Sequence, residues 1–335
     1  MSRTTIICTL GAHRSGTSLA SRLLNLLGVY LGPDERVRTA RDDNPEGFWE
    51  YRPIVDLNDE ILDRFGGNWS APPAFPDGWV RDRRLDDVRA RAAQLIDEDF
   101  AARPVWGWKD PRTSVTLPFW QDVAGPMRYV MCVRSPLAVA ASLARRDEMT
   151  RDVAVRLWLT YMQAALAHTA GSPRLLVFYD DVLRDWPHEL QRMASFAGCP
   201  DRSDDPLCRE AVAGFVRREM CHHPGSTAEV AADTDLPFPA KALYLAARAS
   251  VAADASPRDR DPLDLLGSLA PVEWDRLATA RVDRASLEHQ LRTLAADRDD
   301  ARHELREIHE SRAWRLVTRT RNILGPILPG ARRRG

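Results

Sequence analysis

From Ile6 to Gly28 the chain reads IICTL, then GAHRSGTS, then LASRLLNLLG. The apolar run Ile6 to Leu10 is the pattern of a strand buried on both faces of a parallel sheet, and the small polar loop after it ends that pattern. A helix follows. Leu19, Leu23 and the pair Leu26 and Leu27 recur at helical spacing, Ser15 to Ser18 place hydroxyls near its N-terminus, and Gly28 suits its stop. Strand, glycine-bearing loop and helix N-terminus together make an anion cradle, because unpaired backbone N–H groups and the positive end of the helix dipole meet at one spot.

The loop almost fits the nucleotide-triphosphate pattern GxxxxGK[ST]. Gly11 and Gly16 are in register, but Thr17 stands where that pattern has its lysine, and the cation has moved to Arg14. The resulting R-S-G-T-S, Arg14-Ser15-Gly16-Thr17-Ser18, resembles the 5′-phosphosulfate loop of sulfotransferases that use 3′-phosphoadenosine 5′-phosphosulfate (PAPS). A second element agrees with it. In YVMCVRSPLAVAASLAR a buried strand ends at Arg134, Pro136 fits the first turn of a following helix, and Ser142 comes eight residues after the arginine. This is similar to the arginine and serine spacing of the 3′-phosphate motif in the same family. An arginine fork suits a phosphate dianion, and a hydroxyl adds a directed donor.

The resemblance runs from about Thr4 to Gly225. It implies a three-layer α/β/α P-loop-like parallel sheet, PAPS as co-substrate, the product 3′-phosphoadenosine 5′-phosphate (PAP), no metal, and a hydroxyl acceptor on a carbohydrate or small molecule. In NPEGFWE it nominates Glu50 first and Glu46 second as the base that takes the acceptor proton. A carboxylate against aromatic surface has the raised pKa that this task requires; the alternative for Glu50 is a cap or salt bridge beside Trp49. In WGWKDPRTS the resemblance gives Lys109 a role in neutralising charge on the departing oxygen, while Asp110 and Arg112 read as an internal ion pair. Near FVRREMCHHPGS it offers Arg217 and Arg218 as further phosphate contacts, against a plain solvated turn.

The rest of the chain reads as alternating helices and strands, a parallel α/β signature. Helices are predicted over Val55 to Phe65, Leu85 to Phe100, Asp152 to His168 and, as one element, Asp180 to Gly198. A strand is predicted over Leu175 to Tyr179. A net charge of −1 argues against nucleic-acid binding, and five cysteines without metal-ligand spacing read as free thiols. No run approaches a membrane span and no signal peptide precedes the first strand, so the expected location is cytoplasmic.

Four domains are expected. A sulfotransferase domain covers residues 1–227, and a linker with a short helix covers 228–271. A coiled coil covers 272–311, where Leu277, Ala280, Leu287, Leu291, Leu294, Ala301, Leu305 and Ile308 fall on a heptad weakened by Arg284 and Arg298. A basic amphipathic tail covers 312–335. The heptad predicts a homodimer, and the tail, with arginines interleaved among Trp314, Leu316 and Ile323, predicts peripheral contact with an anionic membrane face. Such tails resemble those of enzymes that build surface polysaccharides. Two other functions stay open at this level: a small-molecule kinase, opposed by Thr17, and a nucleotide-binding scaffold without chemistry.

Overall fold

The computed structural model describes residues 4–38, 47–216 and 225–252, together with positions 264 and 267. Glu46, Arg217, Arg218, the heptad segment and the basic tail lie outside the described residues. Four strands, β1 (Thr5–Leu10), β2 (Val105–Lys109), β3 (Arg128–Val133) and β4 (Arg174–Phe178), pair in parallel in the order β2-β1-β3-β4. Cys8 lies opposite Trp108 on one side and Tyr129 on the other. Eleven helices are described: α1 (Thr17–Leu26), α2 (Arg52–Arg64), α3 (Asp86–Asp99), α4 (Thr113–Ala124), α5 (Pro136–Asp147), α6 (Arg151–His168), α7 (Tyr179–Arg184), α8 (Trp186–Ala197), α9 (Pro206–Phe215), α10 (Thr227–Ala232) and α11 (Phe238–Ala252).

The strand period of two divides the core into two layers. Ile7, Val130, Cys132 and Val177 join Leu19 and Leu23 of α1, Leu190 and Met193 of α8, and Val212 of α9 in one apolar cluster. Neighbouring strand residues face the other way, where Gln121 of α4 donates to the Tyr129 hydroxyl at 2.9 Å. Trp158 of α6 is fully buried there, and its indole N–H donates to the Arg134 carbonyl at 3.1 Å. The result is the expected three-layer α/β/α arrangement.

Two elements differ from the sequence expectation. The helix predicted over Asp180 to Gly198 is broken at Asp185, where φ is −146° and ψ 65°. Its carboxylate accepts the amide of His188 at 3.3 Å and caps α8, with Pro187 in the first turn. D-W-P is a start signal, and it outweighs the continuous periodicity around it. The second is α4, which follows KDPR directly. Pro118 sits inside it among threonine and aromatic residues, a composition that hides a helix.

The segment read from composition as a linker with a short helix, 228–271, carries in its described part all but the first residue of α10 and the whole of α11. Leu236, Leu243 and Tyr244 are buried, and Tyr244 meets Phe178 edge-on at 6.0 Å. Lys241 donates to the carbonyls of Ala231 (3.2 Å) and Asp233 (2.6 Å), and Arg248 pairs with Asp181 at 2.6 Å. Among the described residues Cys8, Cys132 and Cys208 are buried and Cys199 is half-buried, all as free thiols. No helix among the described residues is long and apolar enough to cross a membrane.

Burial of His168, at the end of α6, pushes its pKa down to about 4. The unfolded chain therefore binds a proton that the native state refuses, and stability falls as pH drops from about 6.5 toward about 4. His168→Gln is expected to remove about 2–3 kcal/mol of the wild-type stability difference between pH 7 and pH 4.5, read from urea unfolding at both values.

Candidate functional site

The direction of strand order reverses between β1 and β3, and a crevice outside the carboxyl ends of these strands is where open α/β sheets hold ligands. Both sequence motifs lie there. The β1–α1 loop leaves the sheet at Gly11, with φ +139°, and a Cβ at that position would lie 2.5 Å from the Cys132 carbonyl oxygen. The loop is pinned from α4: the Gly11 amide donates to Ser114 Oγ at 3.0 Å, and that hydroxyl donates to the Gly11 carbonyl at 3.3 Å. It turns again at Gly16, with φ +87°, where a Cβ would strike the Tyr179 ring at 2.4 Å. Arg14 itself holds a left-handed φ of +65°, a conformation that costs a non-glycine residue about 1–2 kcal/mol. α1 begins at Thr17 with Ser18 next. It has no side-chain cap and no acid in its first turn, so its free amides and positive dipole end are left for an anion.

The second motif closes on the first. Arg134 follows β3 and Ser142 lies on α5; both are buried. Arg14 Nε donates to Ser142 Oγ at 2.9 Å, and Arg134 Nη1 donates to the Arg14 carbonyl at 3.2 Å. The Arg134 guanidinium lies over the Tyr179 ring, 4.3 Å from its centroid. Arg134 Nε, Ser15 Oγ and Ser135 Oγ are buried without a hydrogen-bond partner. Three buried polar atoms in need of partners, beside two arginines and a free helix N-terminus, fit a ligand with several anionic oxygens. Gly225, where the described chain resumes after residues 217–224, packs so closely on Ser135 that a Cβ there would lie 2.3 Å from its hydroxyl.

Lys109 and Glu50 meet one strand over. Lys109 ends β2, and its Nζ lies 2.7 Å from Glu50 Oε1, with both side chains buried; Arg38 Nη1 reaches Glu50 Oε2 at 3.2 Å. Burial pushes the Glu50 carboxyl up, but the charge and hydrogen bond of Lys109, with Arg112 and Arg38 behind, outweigh it and hold the pKa below the usual value. The sequence expectation of a raised pKa at Glu50 is therefore corrected: the neighbouring cations, invisible in the local sequence, decide its sign.

The KDPR turn has its internal ion pair, Arg112 Nη1 to Asp110 Oδ1 at 2.9 Å, and Arg112 also reaches Asp59 at 2.5 Å. Asn58 of α2 supports this turn. Its amide donates to Asp110 Oδ2 (2.8 Å) and Thr113 Oγ1 (3.0 Å), and its carbonyl accepts from Thr116 (2.6 Å) and Trp120 (2.8 Å). Among the described residues no cluster of three or more His, Cys, Asp or Glu side chains is placed to hold a metal ion.

His13 is the site residue that the sequence did not single out. It lies in the loop directly before Arg14, packed against Trp69 (ring centroids 4.7 Å apart) and edge-on to Tyr161 (5.2 Å). Burial, then the charges of Arg112, Arg146, Lys109 and Arg14, hold its pKa well below the usual histidine value. The imidazole is neutral, and its Nε2 is buried without a partner. The sequence signal was its place inside the β1–α1 glycine loop, but a loop reading built on backbone amides and Arg14 gave that side chain no task.

No family model matches the chain, and a search of curated proteins finds no match. Among solved structures, the sulfotransferase domain from the curacin biosynthetic pathway aligns at 16% identity over 60% of this chain and 76% of that one, with a TM-score of 0.36. The sulfotransferase domain from the Synechococcus PCC 7002 olefin synthase aligns at 16% identity over 80% of this chain and 94% of its own, with a TM-score of 0.38. A retinol dehydratase in complex with androsterone and the inactive cofactor PAP aligns at 17% identity over 67% of each chain, with a TM-score of 0.35. These are what the chain is similar to, and at such identities and TM-scores none of them assigns its function.

Proposed function

We propose that the chain is a PAPS-dependent sulfotransferase acting on a hydroxyl of a carbohydrate or other small acceptor. The observation that carries this reading is the contact between its two motifs. Arg14 and Ser142, far apart in sequence, are hydrogen-bonded beside Arg134, and the buried Arg134 Nε, Ser15 Oγ and Ser135 Oγ around them have no partners.

When bound, PAPS supplies a sulfuryl group on a phosphate leaving group and a 3′-phosphate that ADP lacks. The amides at Gly16, Thr17 and Ser18, with the Arg14 guanidinium and Ser15 hydroxyl, hold the 5′-end and spread the charge that grows on it. Arg134 and Ser142 take the 3′-phosphate. Lys109 gives one N–H to Glu50 and keeps two more donors for the site. Glu50, ionised between Lys109 and Arg38, fixes where that ammonium points. The half-buried indole of Trp69 borders the loop beside His13 and suits the face of a sugar ring.

The kinase reading differs in its donor. The full chain is expected to move ³⁵S label from PAPS onto a panel of methyl glycosides and phenols without added metal. Mg²⁺-dependent phosphoryl transfer from ATP, with none from PAPS, would overturn the proposal.

A further inference from the structure

We infer that His13 is the proton acceptor for the attacking hydroxyl, an inference that rests on the transfer reaction proposed above. Its Nε2 is a buried atom without a hydrogen-bond partner, inside the loop that forms the anion cradle. A buried imidazole nitrogen without a partner is unfavourable, and in the tautomer with its proton on Nδ1 a hydroxyl brought against Nε2 supplies the missing donor. The ring is held for this task. Trp69 covers one side and Tyr161 stands edge-on, while the Tyr161 hydroxyl donates to the Trp69 carbonyl at 2.8 Å and fixes the two walls to each other.

Glu50 is less suited. Its two carboxylate oxygens are engaged by Lys109 and Arg38, so neither is left open to an acceptor hydroxyl, whereas His13 Nε2 has no partner. In the transfer step the acceptor oxygen forms a bond to sulfur. The bond from sulfur to the phosphate oxygen breaks, its electron pair stays on that oxygen, and the hydroxyl proton passes to His13 Nε2. Nothing is oxidised or reduced.

The charged groups around His13 give this proton transfer a built-in order. Arg112, Arg146, Lys109 and Arg14 act on the imidazole from the KDPR turn, α5, β2 and the loop, and Arg146 also lies over the Trp69 ring at 5.4 Å. Tyr161 faces it as a neutral phenol, its own ionisation pushed further up by burial. Four cations oppose an imidazolium while the cradle is empty. A bound polyanion offsets them, so His13 becomes a better base when PAPS is in place.

The test is a pH titration of the full chain labelled with ¹³C at histidine Cε1, without and with saturating PAP. The His13 signal is assigned by its loss in His13→Gln, and the remaining histidine signals report whether that variant keeps its fold. His13 is expected to stay neutral well below pH 6.5 in the free protein and to titrate about one pH unit or more higher with PAP bound. PAPS turnover, with water and methyl glycosides as acceptors, is expected to fall about 100-fold in His13→Gln, while PAP affinity changes less than about twofold. Added imidazole is expected to restore part of the turnover of His13→Ala.

A His13 signal that ignores PAP while calorimetry shows PAP bound overturns the inference and leaves the sulfotransferase reading standing. So does full turnover in His13→Gln with loss in Glu50→Gln. Absence of PAP binding by the wild type overturns both, and is recognised by the silent calorimetric trace. Where His13→Gln folds poorly, His13→Asn supplies the assignment and the wild-type titration decides.

Discussion

Replacing Lys109 by alanine is expected to destabilise the protein by about 3–5 kcal/mol, the range found when one partner of a buried ion pair is removed. Glu50 stays behind, 5% exposed, with its remaining cation, Arg38, on a half-buried side chain. The loss should appear as a lower urea midpoint at pH 7.5. It should narrow on acidification, because a buried carboxyl that has lost its lysine has a pKa above its wild-type value and the native state then loses less stability on taking up a proton. Lys109→Met combined with Glu50→Gln should recover most of it, since neither charge is then buried. A loss below about 1 kcal/mol would mean that Glu50 reaches water, as an exposed ion pair does.

Arg134→Ala is expected to lower PAP affinity about 100-fold while changing ADP affinity less than about threefold, the signature of a charge-assisted fork lost from one phosphate. Arg134→Lys should recover only part, because an ammonium over the Tyr179 face cannot give two parallel bonds. Equal losses for PAP and ADP would place Arg134 in the general architecture of the loop through its bond to the Arg14 carbonyl, with no selective role.

The geometry of the glycine loop was legible because it is local. Gly11, Gly16 and the helix start at Thr17 dictate backbone geometry, and the apolar runs of β1 and β3 place Arg14 and Arg134 at the same sheet edge. Lys109 at the end of β2 was legible for the same reason. What the sequence hid depends on distant neighbours. The sign of the Glu50 shift is set by Lys109, 59 positions away, and the Asn58 network joins α2 to α4 across more than 50 positions. His13 was visible as a letter in the loop, but its neutrality and its unpartnered Nε2 arise from Trp69, Tyr161 and cations on three other elements. The break at Asp185 was written locally in D-W-P, and a reading weighted toward apolar periodicity passed over it.

The most direct measurement is calorimetric titration of the full wild-type chain with PAP and with ADP under identical conditions. The 3′-phosphate is the chemical difference that the pocket of Arg14, Arg134 and Ser142 is proposed to read, so PAP should bind at least about tenfold more tightly. ADP binding as tightly as PAP, or more tightly, would contradict the account and favour a phosphoryl-transfer reading of the same loop.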